Sequence, residues 1–109
     1  MAIPPVFTVL LARALLASSG ETLLYSVPAQ AEIVIRDIVV ANHHALPQVI
    51  QLYVQKPGFT FHLYENEVAS HRTEHLEMRQ KLFPGDEVRG FADLGTWAVM
   101  ITGYSFIPA

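Results

Sequence analysis

The string His71-Arg72-Thr73-Glu74-His75 has the residue types and spacing of the H-x-x-E-H pattern of inverted zinc metalloproteases. That chemistry sets two imidazoles one turn apart on a helical face, uses the glutamate as general base and takes a third ligand from elsewhere. The residues from Thr73 onward alternate as a strand does, and an extended chain would hold His71 and His75 about 13 Å apart at roughly 3.3 Å per residue. Two ligands about 2 Å from one zinc do not span that distance. The string is therefore expected to be a solvated loop running into a strand edge. His43-His44 lies in a polar turn, where adjacent residues of extended chain point oppositely and chelate poorly. Glu65, Glu67, Glu74, Glu77, Asp86, Glu87 and Asp93 are dispersed, and Asp86-Glu87 after Pro84-Gly85 reads as turn chemistry. There is no G-x-S-x-G, no phosphate-cradling glycine loop, no dinucleotide fingerprint and no cysteine. No catalytic, metal-binding or cofactor-binding residue is assigned, and the chain is expected to be no enzyme and to use no cofactor.

The elements around these residues are short. Turn signals at Ser18-Ser19-Gly20, Pro28-Ala29-Gln30, Asn42-His43-His44 with Pro47, Lys56-Pro57-Gly58, Glu65-Asn66-Glu67, Pro84-Gly85-Asp86 and Asp93-Leu94-Gly95 separate apolar runs. A spacing of about eight to twelve residues between turns is that of a sandwich or barrel. The expected strands are 6–15, 21–27, 32–41, 48–55, 59–64, 73–82, 86–92 and 96–107. The predicted fold is all-β: an antiparallel β-sandwich or jelly roll of about eight strands with an N-terminal arm. Residues 1–9 form the arm or first strand, and residues 10–109 a single domain. Val6 to Ala17 lacks alternation and its Leu, Ala and Arg favour helix, so its type stays open. At about half the roughly 20 residues of a membrane span, and containing Thr8 and Arg13, it is no transmembrane helix. Met1-Ala2-Ile3-Pro4-Pro5 supplies no positive charge for a signal sequence.

Composition points to partners. In 109 residues, 51% are hydrophobic and 16% charged, against about 25% charged in ordinary domains. A small domain cannot hide such an excess in its own core. The net charge of −3 and scattered basic residues give no footprint for nucleic acid, and no membrane contact is expected. Two strands are apolar on both faces. Glu32 to Ala41 is read with Ile33, Ile35 and Val39 on one side and Val34, Ile38 and Val40 on the other. Thr96 to Ile107 sets Trp97, Val99 and Ile101 against Ala98, Met100, Tyr104 and Phe106. Such strands are central and covered outside as well, by a neighbouring subunit or the arm. Tyr53, Tyr64 and Phe91 fall on otherwise polar faces, where aromatic rings anchor interfaces or stack on sugars. The candidate interface is Val34, Ile38, Val40, Tyr53, Tyr64, Phe91, Tyr104 and Phe106, with a glycan as the alternative partner.

Four segments carry a resemblance. Thr22-Leu23-Leu24-Tyr25-Ser26-Val27-Pro28-Ala29, the strand from Ile33 to Asn42, Leu82-Phe83-Pro84-Gly85-Asp86-Glu87-Val88 and Ile101-Thr102-Gly103-Tyr104 resemble small β-sandwich virion proteins of tailed bacteriophages. Those share a T-L-Y-x-V-P-A-G entry, a strand ending in Asn, an L-x-x-G-D-x-V turn and a closing V-x-G-x-E-like strand. Gln30 stands where the pattern has Gly, Tyr104-Ser105 replaces the acidic end, and the polar stretch Glu65 to Thr73 has no fixed counterpart. The resemblance covers roughly residues 10–107. It implies a non-enzymatic structural subunit of the virion, at the capsid surface, neck or tail, assembling as a homo-oligomer and with other virion proteins. Ile3-Pro4-Pro5 suits an extended assembly arm.

Overall fold

The computed structural model describes residues 6–16, 20–56 and 58–106. They form eight strands: β1 (Val6–Leu16), β2 (Gly20–Ser26), β3 (Glu32–Asn42), β4 (Gln48–Lys56), β5 (Phe59–Val68), β6 (Thr73–Leu82), β7 (Glu87–Ala92) and β8 (Trp97–Phe106). The first segment is a strand despite its helix-favouring composition, because its backbone completes a ladder with β8. Ile3-Pro4-Pro5 lies outside the described residues.

The strands make two four-stranded antiparallel sheets, in the orders β1-β8-β3-β6 and β2-β7-β4-β5. Pairing follows one rule. β1 pairs with β8, β2 with β7, β3 with β6 and β4 with β5, as if one long hairpin, folded at the β4–β5 turn, were rolled up. The added β3–β8 and β4–β7 ladders close the roll. This is a jelly roll, so the fold expectation holds.

Alternation buries one side of each sheet. Ile33, Ile35, Ile38, Val40, Trp97, Val99 and Ile101 from the first sheet meet Ile50, Leu52, Val54 and Val88 from the second, all essentially without exposure. Each such aliphatic side chain is worth roughly 1.5–3 kcal/mol relative to exposure. β3 and β8 are the apolar central strands of their sheet, as expected.

Bulges redirect side chains, and two of them decide the facing of candidate residues. Opposite β8, the register steps from Ile35–Gly103 to Asp37–Thr102, leaving Arg36 as an extra residue in β3. Beyond it the facing reverses, so Ile38 and Val40 join Ile33 and Ile35 inside while Val39 turns outward. In β5 the register steps from Leu52–Tyr64 to Tyr53–His62, which makes Leu63 the extra residue. Tyr64 therefore points into the core, 9% exposed. β5 also continues to Val68, so the expected polar loop from Glu65 shrinks to the few residues before Thr73.

Both ends of the roll are tied by buried polar groups. At one end the Gln48 amide donates to Asn42 Oδ1 at 2.8 Å and to the Gly95 carbonyl at 2.7 Å, while its oxygen accepts from the backbone of Leu94 and Gly95. Asn42 in turn donates to the carbonyls of Leu46 and Val68. Three loops are thereby fixed to one another. At the other end buried Asp86 accepts from the Phe83 amide and from Lys56, each at 2.8 Å. Lys56 and Lys81 both lie over the Phe83 ring.

Candidate functional site

The metalloprotease-like string separates in the fold. His71 sits in the β5–β6 turn, at φ 56°, and β6 starts at Thr73. Glu74 faces the sandwich and accepts from the Tyr64 hydroxyl at 3.0 Å, bridging the two sheets. His75 faces out, with Nε2 2.9 Å from Asp37 Oδ1. Among the described residues, the side chains whose donor atoms converge are Asp37, His75 and Glu77, all within 4.8 Å of one another. Asp37 had no role in the sequence reading, because only the β3–β6 register brings it opposite Glu77. Arg36 feels both carboxylates. The trio is a surface network on β3 and β6 that sets two carboxylates beside one imidazole. His44 is used locally: its Nδ1 accepts from the Leu46 amide and its carbonyl from Ser70.

The outer face of β1-β8-β3-β6 carries Val34, Val39 and Ala41 from β3, Ala98, Met100 and Tyr104 from β8, and Arg13 from β1. Arg13, Met100, Val39 and His75 form one row across all four strands. Ala41 and Ala98 are small, so the middle of the face sinks into a depression of about 460 Å³ with Arg13 on its rim. Met100 is 39% exposed beside it. Tyr104 receives a hydrogen bond from the Arg36 guanidinium, which also lies 5.4 Å from its ring centre.

The outer face of β2-β7-β4-β5 is more polar. Tyr53, Glu21, Gln51, Thr60, His62 and Phe91 surround a shallow cleft of about 320 Å³. The Tyr53 hydroxyl donates to Glu21, and Arg89 holds the same carboxylate at 2.8 Å. These contacts, with Tyr53 first, hold the Glu21 carboxyl below its ordinary range. Burial, followed by the bond to Glu21, pushes the Tyr53 hydroxyl up to about 12. Burial and the bond to Glu74 do the same for Tyr64, also to about 12.

The candidate interface thus divides. Val34 and Tyr104 face out on one sheet, and Tyr53 and Phe91 on the other. Ile38, Val40 and Tyr64 are core residues. The Phe106 side chain lies outside those described. Val39, Ala41, Ala98 and Met100 complete the first face. Among the described residues no helix is long and apolar enough to cross a membrane.

No family model matches the chain, and no curated protein is similar to it in sequence. Solved structures are similar in fold. A chain from the structure of infectious bursal disease virus, Gx strain, superposes with a TM-score of 0.61 at 9% identity, over 97% of this chain and 33% of the viral one. The chain thus spans about a third of that relative. A Bacillus endospore appendage protein, from a family of disulfide-linked pili, gives 0.63 at 9% identity over 99% and 93% of the two chains. The Drosophila NLP core, described for pentamer formation and histone binding, gives 0.51 at 16% over 92% and 96%.

Proposed function

We propose that this chain is a non-enzymatic structural subunit of a bacteriophage virion, assembling with copies of itself and with other virion proteins. The observation that carries the reading is the apolar outer face of β1-β8-β3-β6, where Val39, Ala41, Ala98 and Met100 lie side by side on a rigid sheet. A sandwich that has filled its core has no folding use for a second apolar surface. The resemblance of the Leu82 to Val88 turn and the β2 entry to phage virion proteins supports the same reading. So does a fold similar to that of proteins that build virus particles and pili. The test is particle proteomics. Virions purified by density gradient from a host carrying the gene are expected to contain the chain in many copies, and its restriction to the free monomeric fraction would sink the proposal.

The cleft beside Tyr53 and Phe91 favours a second reading, a carbohydrate-binding module. It combines aromatic rings with Glu21, Gln51 and Thr60 as hydrogen-bonding groups around one shallow depression. A glycan array should then give signals that Phe91→Ala abolishes. Silence across the array, with tyrosine fluorescence unmoved by sugars, would remove this reading.

A further inference from the structure

We propose that two copies of this chain pair back to back through the outer face of β1-β8-β3-β6, about a two-fold axis parallel to the strands. The pairing rests on the assembly reading above and specifies the partner and geometry of that face.

Charge selects the axis. Across the four strands the face runs from Arg13 on β1, through Met100 on β8 and Val39 on β3, to His75 on β6, with Glu77 and Asp37 beside His75. Its middle is apolar; one lateral edge carries Arg13, and at the same level the other carries the carboxylates of Asp37 and Glu77, while Arg79 and Lys81 lie further along β6. A two-fold along the strands, set between β8 and β3, lays β1 of one copy over β6 of the other. Arg13 then meets the acidic side of the partner's Asp37–His75–Glu77 cluster, and the contact occurs twice because a two-fold interface uses one patch on both subunits. Met100 is set over the β3 side of the partner's depression, at Val39 and Ala41. The other in-plane two-fold, across the strands, would stack Arg13 on Arg13, and like charges in contact oppose association.

Size sets the expected strength. Four strands at about 4.8 Å spacing, over a length of several residues, give a face of roughly 20 by 25 Å. A back-to-back pair buries on the order of 1,000 Å², near the lower limit for a specific interface. The expected dimer is therefore a concentration-dependent one, with a dissociation constant in the micromolar range.

Sedimentation of the full chain from about 1 to about 200 µM should show a monomer–dimer equilibrium. Met100→Arg, at an exposed position, should keep the wild-type melting midpoint and Trp97 near-ultraviolet signal and remove the dimer. Arg13→Glu and Glu77→Lys should each weaken self-association by about tenfold, because each sets like charges together at both contacts. Mixing the two variants should restore pairing as a heterodimer, in which both contacts are again opposite in sign. A wild type that stays monomeric throughout, or a mixture that pairs no better than its parts, overturns the proposal. Oligomers that persist undiminished in Met100→Arg overturn the face assignment and leave the assembly reading standing, whereas the particle proteomics tests that reading independently.

Discussion

Gly103 lies on β8 where it crosses close to β3, and a β-carbon added there would stand 2.1 Å from the Val34 carbonyl oxygen. No backbone oxygen in a central ladder can retreat that far while keeping its bonds. Gly103→Ala is therefore expected to cost more than about 3 kcal/mol, read as a lost or strongly lowered denaturant midpoint. Gly90 is packed against the Trp97 ring, 2.6 Å from such a carbon, and the sequence reading assigned neither glycine a role beyond its strand. The tyrosines make a second prediction at this scale. Tyr53 and Tyr64 have folded-state values near 12, above the ordinary 10. The folded protein thus holds these protons more tightly than the unfolded chain does. Their contribution to stability is complete below about pH 10 and is lost as the pH rises through about 12, at up to roughly 1.4 kcal/mol per pH unit for each tyrosine. Urea titrations at stepped alkaline pH should show this fall, and Tyr53→Phe and Tyr64→Phe should each flatten it. An unchanged slope in both variants would contradict the assignment.

Loops converging on a buried amide explain one end of the roll. Gln48 serves the β3–β4 and β7–β8 connections directly and reaches the β5–β6 connection through Asn42. Gln48→Ala removes the acceptor of the buried Gly95 amide and the part-buried Leu94 amide and the donor to the buried Gly95 carbonyl, a loss of about 2–4 kcal/mol at a position 1% exposed. Thermal unfolding should register it, together with faster amide exchange at Leu94 and Gly95. Strand positions were readable in the sequence because turn residues punctuate it and apolar residues alternate, and the expected limits fall within one residue except at the end of β5. Facing was harder. An extra residue such as Arg36 or Leu63 is decided by the strand alongside, not by local preference, and one uncounted residue turns every later side chain over. Local alternation therefore puts Ile38, Val40 and Tyr64 outside and Val39 with Ile33 and Ile35, the reverse of the facing that the bulges impose. Val34, Tyr53, Phe91 and Tyr104 face outward because their own strands carry no extra residue between them and the inward neighbours beside them. The Asp37–His75–Glu77 network and the Gln48 hub join residues distant in sequence and have no local pattern to find.

The rolled hairpin makes the chain's first and last strands neighbours, with Val6 opposite Phe106 and Leu16 opposite Trp97. β8 is a central strand only because β1 covers its free edge, and Ala14 and Leu16 add apolar cover to the core from that side. Closing this ladder joins segments some 90 residues apart, so its loop entropy is met late, after the β4–β5 and β3–β6 ladders can form. A chain beginning at Gly20 should therefore keep the other ladders but present the whole unpaired backbone of β8 to solvent. Exposed edges of that length recruit strands from other molecules. The truncated chain is expected to melt well below the full chain and to associate irreversibly on warming, and a synthetic peptide of residues 6–16 supplied during refolding should restore the monodisperse species and the near-ultraviolet signal of Trp97. A truncated chain with the full-length melting midpoint, indifferent to the peptide, would mean that β8 stands as an edge without help and that the first strand is an appendage to the sandwich instead of its closing member.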